Sequence, residues 1–306
     1  MTDWQFACPQ CRSRLEAIAP DRLRCPIEAA VFEQRDGIWG LLAPDRSAAL
    51  RRFIDQYEAI RQAEGWGAGQ AAYFRALPFE DLSGQRIALW QQRARQYRRL
   101  IDWVIKPLER QVKRPLRILD AGAGNGWLAY RLAQRGHHVV ALDLLINARD
   151  GLGAHRCYAA TFTPVQAEFD RLPLDNAQAE VIVYNGAFHY STDYAVTLRE
   201  ALRVLTPQGR MIVLDSPVYF DVASGQALVR ERALDFARQY GVTTDATAHE
   251  NFLTPQRLHE LGAELGVRWQ VYQRGWGWPA RLRAWSARMA GQRELAHMPV
   301  MVGVRS

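Results

Sequence analysis

The stretch Leu119-Asp120-Ala121-Gly122-Ala123-Gly124-Asn125-Gly126-Trp127 constrains this chain more than any other. The apolar run Leu116-Arg117-Ile118-Leu119-Asp120 leads into it, and a helical pattern from Trp127 to Gln134 leaves it. Three glycines at a strand-to-helix turn permit backbone dihedrals that other residues resist, and they let the main chain approach a ligand. The helix that follows offers unpaired N–H groups and the positive end of its dipole. A dinucleotide fingerprint, G-x-G-x-x-G, would need glycine where Trp127 stands. The pattern is instead acidic-x-G-x-G-x-G.

The same alternation continues on either side. His138–Asp143, Val181–Tyr184, Arg210–Asp215, Trp269–Tyr272 and Pro299–Val304 read as strands, and Tyr194–Leu205 as a helix stopped by Pro207 and Gly209. Strands alternating with helices at this spacing predict an α/β fold with a doubly wound, mostly parallel sheet. We place it over residues 113–306, with insertions at about 218–252 and 275–297. Residues 45–112 read as a helical cap and linker. Ser47 is the expected cap of a helix through Tyr57, with Leu50, Phe53, Ile54 and Tyr57 at helical spacing. A break at Gly65-Trp66-Gly67-Ala68-Gly69 follows, then a helix from about Gly84 to Glu109.

The loop resembles motif I of the class I S-adenosylmethionine-dependent methyltransferases, of the type 11 kind. Three other segments share the resemblance. Asp143 ends the next strand, 19 residues after Gly124. Ala167-Glu168-Phe169-Asp170-Arg171-Leu172-Pro173-Leu174 is similar to the segment before strand four. Leu202-Arg203-Val204-Leu205-Thr206-Pro207-Gln208-Gly209-Arg210-Met211 is similar to the helix, turn and fifth strand. The resemblance spans about residues 115–216, with a looser fit to 253–306. It implies a seven-stranded sheet and a set of cofactor contacts. Asp120, Gly122, Ala123, Gly124, Asn125, Gly126 and Trp127 would surround the methionine part. Asp143, with Leu144 beside it, would accept from the ribose hydroxyls. Glu168 would reach the adenine amino group, Phe169 would lie by its ring, and Asn185 and Gly186 would form the rim after strand four.

Residues 1–44 form a small module. Cys8-Pro9-Gln10-Cys11 and Cys25-Pro26-Ile27-Glu28 are similar to the two knuckles of a zinc ribbon, with Glu28 where a fourth cysteine is expected. Tetrahedral zinc takes four ligands, so Cys8, Cys11, Cys25 and Glu28 are the candidate set, and a ribbon that keeps its shape without metal is the other reading. The fourth cysteine of the chain, Cys157, lies far from them. Thiols in such a cluster point to metal before disulfide and to a cytoplasmic protein. The opening residues lack the apolar core of a leader peptide, and no run is long enough to span a membrane.

The net charge of +7 is carried by arginine; Lys106 and Lys113 are the only lysines. The arginines are scattered, which favours a background composition over a dedicated acidic partner. Candidate general bases at the strand rims are His189, Tyr190 and Tyr219, with Asp215 nearby. The Asn/Asp-Pro-Pro-aromatic signature of exocyclic base-amine methylation is missing: Asn185-Gly186-Ala187-Phe188 stands there. Tyr73–Pro78, Trp90, Arg93 and an inserted helix with Arg230, Glu231 and Arg232 are expected to cover the site. The segment Trp276–Met289 is amphipathic and basic. We read it as an aromatic-stabilised cap over the sheet, with a lipid surface or nucleic-acid stacking as alternatives. The leading expectation is methyl transfer to a small-molecule or lipid-like acceptor. RNA methylation and a non-catalytic scaffold are the alternatives. The sequence does not specify an oligomeric state.

Overall fold

The computed structural model describes residues 4–67, 70–240, 249–273 and 275–306. Met1 to Asp3 of the opening residues, Ala68 and Gly69 of the glycine-rich break, and residues 241–248 of the first insertion lie outside the described residues. Its strands are β1 (Glu16–Ala19), β2 (Arg22–Arg24), β3 (Val31–Arg35), β4 (Ile38–Gly40), β5 (Arg117–Ala121), β6 (His138–Asp143), β7 (Thr163–Gln166), β8 (Ala179–Asn185), β9 (Leu205–Leu214), β10 (Val267–Tyr272) and β11 (Val300–Arg305). Its α-helices are α1 (Pro44–Ala63), α2 (Ala71–Ala76), α3 (Ile87–Leu100), α4 (Lys106–Val112), α5 (Trp127–Gln134), α6 (Tyr194–Val204), α7 (Val222–Tyr240), α8 (Pro255–Leu265) and α9 (Trp278–Met289). One π turn, Ile101–Ile105, joins α3 to α4 just before Pro107, whose ring has no N–H to give.

The central strands are apolar on both faces because both are covered. Alternate residues go opposite ways: Leu119, Val140, Leu142 and Tyr184 enter one core with α6 and α8. Ile118, Val139, Ala141 and Val183 enter the other with α3, α4 and α5. The sheet order is β1-β2-β3-β4-β7-β6-β5-β8-β9-β11-β10. From β5 the chain winds outward through β6 and β7, then returns to β8 on the other side. The crevice at the carboxyl ends of β5 and β8 is therefore the switch point, where open α/β sheets bind ligands.

The sheet has eleven strands, not the seven expected. The strands β5 to β11 account for seven, and the amino-terminal module adds four. A hairpin turning on Asp36 and Gly37, both at positive φ, brings β4 back to pair in parallel with β7, Trp39 opposite Val165. Phe32, Trp39, Leu41 and the buried Cys8 and Cys25 share the same apolar core as β6 and β8. The pairing was not legible because β7, the short Thr163–Gln166 strand, carries a proline and no strong pattern.

Three local expectations are corrected. Pro44 rather than Ser47 opens α1, which runs on to Ala63, and its cap position Ala43 makes no side-chain bond. Tyr73, Phe74 and Trp90 are buried inside the second core instead of covering a site. The segment read as a cap over the sheet forms α9, and it turns Trp278 and Trp285 to solvent.

Candidate functional site

The glycine loop sits at the switch point. Gly122, Gly124 and Gly126 all have positive φ (77°, 55° and 80°). A methyl group on Gly122 would lie 2.2 Å from Ala187 Cβ, whereas one on Gly124 meets nothing nearer than 3.9 Å. The loop is therefore packed tightly behind Gly122 and open at Gly124. The N–H groups of Gly122 and Ala123 donate to Leu142 O at 2.8 and 3.0 Å. Gly124 N–H donates to Asp143 Oδ2 (2.7 Å) and Leu145 N–H to Asp143 Oδ1 (2.9 Å). Burial pushes the Asp143 carboxyl up, and these two donors oppose that.

Asp120 lies at the floor of the crevice. Its Oδ2 accepts from Ala129 N–H of α5 (3.1 Å). Its Oδ1 is buried with no hydrogen-bond partner among the described residues. Burial raises this carboxyl to about 8.

A cavity opens over these residues. Asp120, Gly122, Ala123, Gly124, Asn125, Trp127, Asp143, Leu144, Glu168, Phe169, Asn185 and Gly186 line it. Of the sequence-derived cofactor set, Gly126 alone is not in its wall. Its role there is to turn the backbone into α5, closed by Gly126 N–H to Ala123 O at 2.9 Å.

The far wall is α1. Arg46, Leu50, Phe53, Tyr57 and Arg61 lie on one helical face and all line the cavity. Arg46 Nε and Nη2 reach Glu168 Oε1 and Oε2, each at 2.9 Å. Arg61 pairs with the buried Asp150, and its guanidinium stacks 3.6 Å from the centroid of Trp66. Arg86 stacks on the same ring at 3.9 Å. Arg93, from α3, also lines the cavity and pairs with Asp215 through Nε at 3.1 Å. Sequence reasoning placed α1 within a helical cap and linker but assigned none of its residues to the site. The signal was available: an arginine at each end of a face whose middle is Leu50, Phe53 and Tyr57.

The three candidate bases separate. Tyr190 lines the cavity in an edge-on aromatic group with Tyr57 (5.8 Å) and His249 (5.8 Å). His189 lies outside the lining and is buried, with Nδ1 3.2 Å from Ser216 Oγ. Burial lowers it to about 3, so the ring is neutral. Tyr219 is also buried outside the lining, and its hydroxyl accepts from Arg293 (3.3 Å). Asp215 is held by Gln92 and Arg93. The helix α7, with Arg230, Glu231 and Arg232, contributes no described residue to this wall.

In the amino-terminal module the thiols of Cys8, Cys11 and Cys25 gather within 4.8 Å of one another. The Glu28 carboxylate is not among them. Instead Glu28 N–H donates to Cys25 Sγ (3.2 Å). The hydroxyl of Ser13 sits 3.1 Å from Cys11 Sγ and 3.2 Å from Cys25 Sγ. Burial works against it, yet the bonds from Ser13 and from the Glu28 backbone bring the Cys25 thiol down to about 7.

Comparisons with known proteins give the family. Residues 119–213 match the methyltransferase domain family. An uncharacterized methyltransferase of Mycobacterium tuberculosis is 33% identical over 173 residues, covering 53% of this chain and 67% of that protein. A malonyl-[acyl-carrier protein] O-methyltransferase of Erwinia pyrifoliae is 35% identical over 101 residues (32% of this chain, 36% of that protein). A ubiquinone/menaquinone biosynthesis C-methyltransferase of a Caulobacter species is 33% identical over 108 residues (32% and 43%). The chain belongs to the S-adenosylmethionine-dependent methyltransferases.

Proposed function

We propose that the chain methylates a small-molecule or lipid-like acceptor in the cavity beneath α1. One observation carries the donor side of this reading: the partnerless, buried Asp120 Oδ1 beside an open Gly124. An unsatisfied buried acceptor costs about 1–3 kcal/mol, and the ammonium of a methionine group would satisfy it. S-adenosylmethionine supplies an electrophilic sulfonium methyl. Around it the chain's own residues orient and exclude water. Asp143 keeps free lone pairs on both oxygens for ribose hydroxyls while two backbone donors hold it in place. Glu168, braced by Arg46, accepts from the adenine amino group, with Phe169 beside the base. Gly186 leaves room next to Arg93, where a methyl group would already stand 3.5 Å from Nη2.

On the acceptor side, Phe53, Tyr57, Trp66, Tyr190 and His249 make a largely aromatic wall. Such a wall fits a compact, partly apolar molecule and does the work of positioning. Tyr190 is the candidate group at the acceptor. His189 acts on packing, being neutral and outside the lining. The names of the acyl-carrier-protein and quinone relatives favour small or lipid-like acceptors over RNA. The test is transfer from methyl-labelled S-adenosylmethionine into small-molecule, lipid and RNA fractions of a cell extract. Label in the small-molecule or lipid fraction is expected. Label in RNA alone would overturn the acceptor assignment, and a folded protein that labels nothing would favour a scaffold.

We further propose that the amino-terminal module holds zinc through Cys8, Cys11 and Cys25. Three thiols within reach of one ion suit its preference for sulfur. The Ser13 hydroxyl, in contact with two of those sulfurs, is the candidate fourth ligand in place of the Glu28 carboxylate, which does not join the cluster.

A further inference from the structure

We propose that α9 seats the protein on an anionic lipid surface. Trp278, Leu282, Trp285 and Met289 fall at i, i+4, i+7 and i+11, which places them on one face of the helix. All four are open to solvent, at 70%, 49%, 61% and 69% exposure. The buried Ala280 and Ala284 lie on another side of α9 and attach it to the protein. An α-helix that turns two tryptophans, a leucine and a methionine outward has its apolar face without a partner among the described residues.

The charge around that face specifies the partner. Between Glu264 and Glu294 the sequence has six arginines and no acidic residue. Arg281, Arg283 and Arg288 of α9 are all exposed. Arg283 donates to Gly275 O, while Arg281 and Arg288 make no side-chain hydrogen bond or ion pair among the described residues. Apolar face, interfacial tryptophans and flanking arginines are the composition of a helix that lies in the plane of a bilayer surface. Leucine and methionine on the same face suit acyl chains and would not stack on bases, which sets lipid above nucleic acid.

The position of α9 gives the contact a purpose. The strands β10 and β9 each pair antiparallel with β11, so they run parallel to one another. The strand β10 therefore ends at Tyr272 on the edge of the sheet where β5, β6 and β8 end, the edge that bears the cavity. The segment 273–299 that carries α9 leaves and rejoins the sheet at this end, Tyr272 opposite Val300, which is the end of the proposed acceptor wall. Surface binding itself does not depend on methyl transfer.

The experiment is cosedimentation of the full chain with vesicles of phosphatidylcholine alone and of an equal mixture with phosphatidylglycerol, without cofactor. Binding to the mixed vesicles is expected, weaker on the neutral ones and falling with salt. Trp278→Ser with Trp285→Ser should abolish it. Each of Arg281→Glu and Arg288→Glu should weaken it about fivefold or more. These exposed variants should bind S-adenosylhomocysteine as the parent does, which separates loss of docking from loss of the cofactor site. No binding of the parent chain to mixed vesicles would overturn the proposal. So would unchanged binding by the tryptophan variant, a self-association that the tryptophan variant removes in place of vesicle binding, or binding to RNA with none to vesicles.

Discussion

Arg46 and Glu168 stand 122 residues apart in the chain and share a two-pronged contact, each guanidinium arm 2.9 Å from its own carboxylate oxygen. That pair joins the first turn of α1 to the loop after β7. It turns an amino-terminal helix into one wall of the cavity and orients the acid proposed to meet adenine. Replacing Arg46 with alanine leaves Glu168 free to rotate toward water. The expected result is about a tenfold loss of affinity for S-adenosylhomocysteine, the worth of one charge-assisted contact. Titration calorimetry measures it, and unchanged affinity would show that the brace serves stability alone.

The two front glycines of the loop should fail differently. Gly122→Ala drives a methyl group to 2.2 Å from Ala187 Cβ, so the strand end must move and the protein should lose several kcal/mol or not fold. Gly124→Ala finds open space and incurs chiefly the left-handed backbone penalty, about 1–2 kcal/mol. It should fold and yet bind S-adenosylhomocysteine poorly, because the added methyl group occupies the cavity floor. Thermal melts and calorimetry on both variants check the contrast.

Asp120 should report its own occupation. Burial raises its carboxyl to about 8 from a usual 3.8, so at neutral pH it is mostly protonated. An ammonium against Oδ1 favours the ionised form, and binding should release a proton. Heats of S-adenosylhomocysteine binding in phosphate and in Tris should then differ by nearly the difference in buffer ionisation enthalpy, and Asp120→Asn should remove the difference. Linkage gives a second readout. The folded state holds this proton more tightly than the unfolded chain, so its stabilising contribution is complete below about pH 4 and is lost as pH rises through 8. Stability relative to Asp120→Asn should fall by up to about 1.4 kcal/mol per pH unit in that window. Equal heats in both buffers would remove Asp120 from the ammonium contact.

How much of this was legible follows from what is local. The glycine loop, Asp143 and the strands β5, β6, β8 and β9 are short-range patterns, and each was readable because neighbouring residues determine it. The wall made by α1 was not, since its face is explained only by Glu168, 122 positions from Arg46, and Asp150, 89 positions from Arg61. The joining of β4 to β7 depends on pairing across a similar gap. The exposure of Trp278 and Trp285 was misread for a simpler reason: an aromatic, amphipathic pattern is the same whether the apolar face is covered or bare.

The cysteine module makes a prediction of the same kind. Elemental analysis of purified protein should find zinc near one per chain. Glu28→Gln should keep it, because only the Glu28 backbone touches the cluster. Ser13→Ala should lower retention against a chelator, Ser13→Cys should raise it, and Cys11→Ser should abolish it. A chain with Glu28→Gln that loses its metal while Ser13→Ala keeps it would reverse the assignment.

The most direct test of the central claim is calorimetric titration of the folded chain with S-adenosylhomocysteine, beside Asp143→Asn. The substitution keeps the shape of the side chain but removes the charge proposed to hold the ribose. Micromolar binding by the parent chain, weakened at least about tenfold in the variant while the variant, short of one of the two backbone bonds to Asp143, still unfolds in a single cooperative transition, is the result this account predicts. A well-folded parent chain that takes up no S-adenosylhomocysteine would contradict it.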